Sequence, residues 1–184
     1  MPTVLAAEQP GDERGALLTF LEGQRGNLRR TLHGLTAAQA SSTPSASALC
    51  LIGLAKHVAE VEQGWVRDAS GVPRAVRRDR SNWSGCFELE GEETVESVLA
   101  YWDEVAAETE AAVRALPSLD DTFTLPEAPW FPKEPRSWRW MLLHLISEVA
   151  RHAGHADIVR ETLDGKTAFE LVRESEAAAL PEGV

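Results

Sequence analysis

Apolar residues recur along this chain at intervals of three and four, with polar residues between them. In the first such stretch Leu17, Leu18, Leu21, Leu28 and Leu32 share one helical face. The pattern predicts a helix from about Gly11 to Leu35, with Asp12 as its cap and Gly34 near its end. A second helical pattern covers "ALCLIGLAKHVAEVEQGWVRDA", Ala48 to Ala69. A third covers Thr94 to Leu116, with "EETVE" as its start signal and Pro117 just past its end. The fourth begins near Ser137 and runs to about Leu163, where "LDG" marks the stop.

Three connections join these helices. "TAAQASSTPSAS" is short, with room for one helical turn. "SGVPRAVRRDRSNWSGCFELEGE" is long, and "PSLDDTFTLPEAPWFPKEPR" is long and rich in proline. Strand signals are weak and no repeat is visible. The expected fold is all-α, a four-helix bundle with long crossover connections. It spans residues 11–166, between a flexible N-terminus (1–10) and a C-terminal tail (167–184) whose "ESEAAALPEGV" is expected to be mobile.

Charge narrows the partners. The 184 residues carry a formal net charge of -11. Phosphate contacts need clustered Lys and Arg, so nucleic acid and anionic membranes are poor partners. The one dense basic run, "RAVRRDR", lies in an expected loop. No apolar run reaches the roughly 18 residues of a membrane span. Cys50 and Cys86 form no CxxC, and the N-terminus lacks a secretory pattern, so a cytoplasmic location is expected. The expected partners are a small-molecule substrate and, in a homodimer, a second copy of the chain.

The fourth helix carries the unusual chemistry. In "LLHLISEVARHAGHADIVRE", His144, Glu148, His152 and His155 are spaced by four, four and three. At about 100° per residue they fall within an arc of about 80°. Met141, Leu145, Val159 and Leu163 overlap that arc, while Ser147 and Arg151 lie beyond its other edge. The polar stripe therefore points partly into the bundle. Unpartnered, such groups would cost several kcal/mol to bury, so they need each other, water or a metal ion.

Glu148 and His152, one turn apart, can reach one cation. His57, within the apolar pattern of the second helix, offers a third ligand. Two histidines and a carboxylate suit Zn(II), Ni(II) or Fe(II), and three protein ligands leave positions open for substrate. Blander readings stand beside this one. His57 also fits a satisfied core histidine, and Glu148–His152 a surface pair. His33 reads as a surface residue. No HExxH, P-loop, GxGxxG or GxSxG supports another mechanism.

The segments "LIGLAKHVAEVEQGW", "SNWSGCFELEGEETVESVLAYW" and "WRWMLLHLISEVARHAGHADIVRETLDG" together resemble the DinB-like superfamily, from about Leu17 to Gly165. The resemblance implies up-down-down-up connectivity and a divalent metal held by His57, Glu148 and His152. Many members have histidine where Glu148 stands; the glutamate variant is like that of the mycothiol-dependent maleylpyruvate isomerase relatives. His155 occupies a position that is often glutamine. The activity implied is transfer or isomerisation with a low-molecular-weight thiol such as mycothiol as cosubstrate, and a small electrophile as substrate. His144 and His155 are then expected to orient ligands or move protons. Glu62 is weighed as an outer partner of the metal or a surface glutamate, and Trp65, Trp138 and Trp140 as pocket walls or core. Cys50 and Cys86 are expected to be structural. The rival readings are a non-catalytic metal-binding bundle serving as sensor or interaction module, and a non-haem iron oxygenase.

Overall fold

In the structure, a computed structural model, residues 9–125 and 133–179 are described. Four long helices form where the periodicity places them: α1 (Glu13–Arg30), α3 (Leu51–Ser70), α4 (Val95–Ala115) and α5 (Trp138–Asp164). A single turn, α2 (Ala37–Ala40), occupies the short first connection. The expected start signals operate. Asp12 accepts from Gly15 N, Thr94 forms a reciprocal capping box with Ser97, and Ser137 accepts from Trp140 N. Gly71 and Gly165 end α3 and α5 in the left-handed conformation, at φ +68° and +79°.

The first helix stops at Arg30, short of the expected Leu35. The fully buried Arg160 of α5 explains the end. Its guanidinium donates to the carbonyls of Thr31 (2.7 Å) and His33 (2.9 Å), which a longer helix would have used internally. Two short strands, β1 (Thr122–Phe123) and β2 (Arg136–Ser137), pair antiparallel across the proline-rich connection. A further helix, α6 (Ala168–Ala179), forms where a tail is expected from sequence. It packs on α1 with Leu171 1% exposed. Twelve residues are marginal as an isolated helix even with good helix formers, so burial on α1 supplies what its length lacks. The expected mobile segments at 1–8 and 180–184 lie outside the described residues.

Side-chain pairs give the direction of each helix. Glu13 meets Arg139 at one end of α1, and Arg160 meets the carbonyls at the other, so α1 and α5 run parallel. Lys56 meets Glu93, and Arg67 meets Glu108, so α3 and α4 also run parallel. Arg14 reaches Leu116 O and Arg29 reaches Asp103, so α1 opposes α4. His57 lies beside His152 and Trp65 beside His144, so α3 opposes α5. The result is up-down-down-up. Among the described residues no helix is long and apolar enough to cross a membrane.

The core is aliphatic, with one polar knot. Leu21, Leu28, Leu51, Leu54, Met141 and Leu145 are fully buried. Between α1, α3 and α4, the fully buried Glu62 takes hydrogen bonds from Arg25 Nε (3.0 Å), Thr109 Oγ1 (2.6 Å) and Trp102 Nε1 (3.4 Å). Burial disfavours the Arg25 charge; the Glu62 carboxylate outweighs that cost and raises the guanidinium pKa. Arg29 stacks over Trp102 at 4.6 Å.

Removing one member of this knot strands the other's charge. Glu62→Ala is expected to destabilise the fold by about 3–5 kcal/mol, read as a lower urea midpoint. A loss under about 1 kcal/mol, the scale of an exposed pair, would show that water reaches Arg25.

Candidate metal centre

The centre forms where the opposed helices α3 and α5 meet. His57 lies on the buried face of α3, 6% exposed. Its ring stacks on Phe87 (centroids 4.4 Å apart, planes 24°) and meets Trp83 edge-on at 6.1 Å. Both aromatics belong to a 3-10 turn, Trp83–Phe87, in the long second connection. Several contacts hold that connection on α3. The buried Lys56 donates to Glu88 O (3.0 Å), Glu90 (3.1 Å) and Glu93 (2.6 Å). Arg78 grips Glu60 at 2.8 and 2.6 Å. Gly53 permits the close approach, since a Cβ there would stand 1.9 Å from Phe87 O.

Across the seam, α5 presents Glu148 and His152. Glu148 Oε1 lies 3.2 Å from His152 Nε2 and 3.6 Å from His57 Nε2. The hydrogen bond from His152, then the His57 imidazole 3.6 Å away, holds the half-buried carboxyl far below its ordinary value; burial works against them. One donor atom from each of the three residues falls within 4.8 Å of the others. With bonds of about 2.0–2.2 Å, a tetrahedral ion holds its ligands roughly 3.3–3.6 Å apart. The two separations to Glu148 match that spacing and the donor set suits a divalent cation; the wider separation closes with a small side-chain movement.

The other two histidines separate. His155 is exposed, with its Nδ1 3.4 Å from His152 Nδ1. Without a cation, His152 Nε2 carries the proton it donates to Glu148; a bound cation would take the Nε2 lone pair instead, with the proton then on Nδ1 facing His155. His144 stands one turn before Glu148, half-buried between two indoles. It stacks on Trp140 (5.3 Å, 5°) and meets Trp65 edge-on at 4.8 Å. Burial lowers its pKa, against the pull of the Glu148 charge.

Other sequence expectations resolve differently. Glu62 is neither an outer partner of this centre nor a surface glutamate. Five residues past His57 is about 140° around the helix, which carries it to the Arg25 knot. Trp138 is core, Trp65 is buried at the seam between α3 and α5, and Trp140 is 38% exposed. Cys50 and Cys86 are buried, their Sγ atoms donating to Phe87 O (3.5 Å) and Trp83 O (3.0 Å). Burial pushes the Cys86 thiol up to about 11, so neither thiol suits nucleophilic work. His33 is half-buried and serves through its carbonyl. Sequence reasoning missed Trp83 and Phe87. Only aromatic content in a loop marked them, without any period.

A four-helix bundle of up-down-down-up connectivity, with two histidines and a carboxylate converging from its second and fourth long helices, defines a DinB-like protein. The mycothiol-S-transferase family model matches residues 16–165, and the chain belongs to that family. No curated protein gives a significant match. A conserved protein from Enterococcus faecalis is a similar solved structure, with TM-score 0.61 and 15% identity over 84% of this chain and 98% of that one. YfiT from Bacillus subtilis, described as a probable metal-dependent hydrolase with an unusual four-helix bundle topology, matches with TM-score 0.51. Its identity is 14%, over 92% of this chain and 91% of that one. At such identities the two structures support the fold.

Two outcomes are expected at this centre. Gly53→Ala should displace the 3-10 turn and expose His57, seen as increased hydrogen exchange across 83–87; unchanged exchange would mean the turn is held without the close approach. The lowered pKa of Glu148 contributes stability to metal-free protein that is present above the carboxyl's ordinary 4.5 and lost as pH falls toward the folded value. Glu148→Gln should therefore be less stable than wild type above that pH, and urea melts should show the gap closing in acid. A gap that widens in acid would contradict the pairing.

Proposed function

We propose that His57, Glu148 and His152 bind one divalent cation and that the protein is a metal-dependent thiol S-transferase or isomerase acting on a small electrophile. The observation that carries the reading is the convergence of these three donors in a chain of the mycothiol-S-transferase family. Zn(II) suits the donor set first; Ni(II) and Fe(II) are the alternatives. Three protein ligands leave room for a sulfur ligand, which favours catalysis over a closed structural site.

When bound, the cation supplies positive charge that favours thiolate over thiol. The protein's own groups do the rest. Glu148 stays ionised and offsets that charge. His155 holds the tautomer of His152. Phe87 and Trp83 shield the His57 side from water. His144, kept neutral by its burial, accepts the thiol proton on a ring nitrogen, while the two indoles prevent its rotation. The sulfur then forms a bond to the electrophilic carbon. A leaving group departs with its electron pair in a transfer, and the thiol is expelled again in an isomerisation.

Metal content and stability test the assignment. Chelation should lower the melting temperature and added zinc should restore it, because a ligand bound by the native state stabilises that state by mass action. His152→Ala should reduce metal per chain after dialysis to near background. His155→Ala should weaken affinity only about 10–100-fold and His144→Ala should leave metal content intact while slowing thiol transfer. Loss of metal from His155→Ala but not from His152→Ala would redraw the ligand set.

A further inference from the structure

The seam between α3 and α5 continues past the metal centre toward the start of α5. His144 is one turn from Glu148 and Trp140 is two, so Trp140 stands roughly 12 Å from Glu148 along the helix axis. Four side chains cluster there, with Trp65 and Trp140 also meeting edge-on at 5.7 Å. Trp65 meets His144 at 4.8 Å, His144 stacks on Trp140 at 5.3 Å, and the guanidinium carbon of Arg136 lies 5.6 Å from the Trp140 ring centre.

Arg136 is the unusual member. The half-buried Arg29, Arg67, Arg74, Arg78 and Arg139 each meet a carboxylate. Arg14 closes the end of α4 at Leu116 O. Arg136 is also half-buried, yet among the described residues it has no acidic partner. Its NH1 donates to the carbonyls of Glu134 (3.4 Å) and Pro135 (3.2 Å). The edge formed by Nε and NH2 meets no acceptor among the described residues. That edge is a two-donor fork whose geometry matches a carboxylate. In a chain with 29 acidic residues this fork is held against an indole beside the seam, with no acidic partner among the described residues.

We propose that Arg136, held on Trp140, receives a carboxylate of the organic substrate and sets the specificity of the groove, while Trp65, His144 and Trp140 carry the substrate's body. The inference rests on the proposed metal centre for the position of the reacting end. It does not depend on which bond is made there.

The test uses cobalt(II)-substituted protein with 2-mercaptoethanol present as the thiol, titrated with phenylacetate and with methyl phenylacetate, two organic molecules that differ only in the carboxylate. Thiolate at the metal is read from the sulfur-to-cobalt charge-transfer absorption, and contact with the cluster from tryptophan fluorescence. The acid should bind about 10-fold or more tightly than the ester, as expected for a hydrogen-bonded charge. Arg136→Met should abolish that preference without changing cobalt content. Arg136→Lys, which keeps the charge and loses the fork, should retain part of it and shows that the segment still folds. Equal binding of acid and ester, a preference that survives Arg136→Met, or no binding of either probe overturns the proposal. An Arg136-dependent preference in fluorescence without a cobalt band sinks the thiol reading and leaves this subsite standing. A cobalt band without acid preference does the reverse.

Discussion

Glu148 imposes the central constraint on this bundle. A carboxylate on a helix face that packs inward must find positive charge or hydrogen-bond donors, and here it finds an imidazole on either side. One donor comes from its own helix, four residues on. The other comes from α3, across the seam. That second contact couples the chemistry to tertiary structure, because it exists only when α3 and α5 run opposed and in the correct register. A slip of α3 by one residue would rotate His57 by about 100° and remove it from the centre.

Helix α3 therefore has two polar duties on different faces. At His57 it faces the carboxylate of α5, and at Glu62 it faces the guanidinium of α1. The Arg25–Glu62–Thr109 knot leaves an unpaired buried charge in alternative packings, so it favours one arrangement of α1, α3 and α4 over its neighbours. The same helix holds the long connection through Lys56, Glu60 and the bare backbone of Gly53. Stability and site geometry are thus carried by one element. Changes on α3 are expected to disturb both.

The arrangement also explains how one groove can serve two purposes. Its inner end is hydrogen-bonding and anionic, suited to a cation. Its outer end is aromatic and carries the Arg136 guanidinium over an indole. On the proposed reading a substrate lies lengthwise between the two ends, which the helical rise sets roughly 12 Å apart.

Much of this is legible in the sequence alone. The four helices, their caps at Asp12, Thr94 and Ser137, and the shared face of His144, Glu148, His152 and His155 follow from local rules: period, capping chemistry and the 100° step. The resemblance carried by "KHVAEVE" and "RHAGHAD" points to His57 as the third member of the cluster. Other features depend on residues far apart in the chain, which no local rule relates. Glu62 looks like any surface glutamate until Arg25, 37 positions earlier, is placed beside it. Trp83 and Phe87 sit in a loop with no periodicity, and the missing Cβ of Gly53 lets the Phe87 backbone approach α3 so that their rings reach His57. Helix α6 has good helix formers but only twelve residues, and burial of Leu171 against α1 adds what its length lacks. Local chemistry decided which residues could share a face; tertiary packing decided which of those faces meet, because register and crossing of helices are set by the sum of distant contacts.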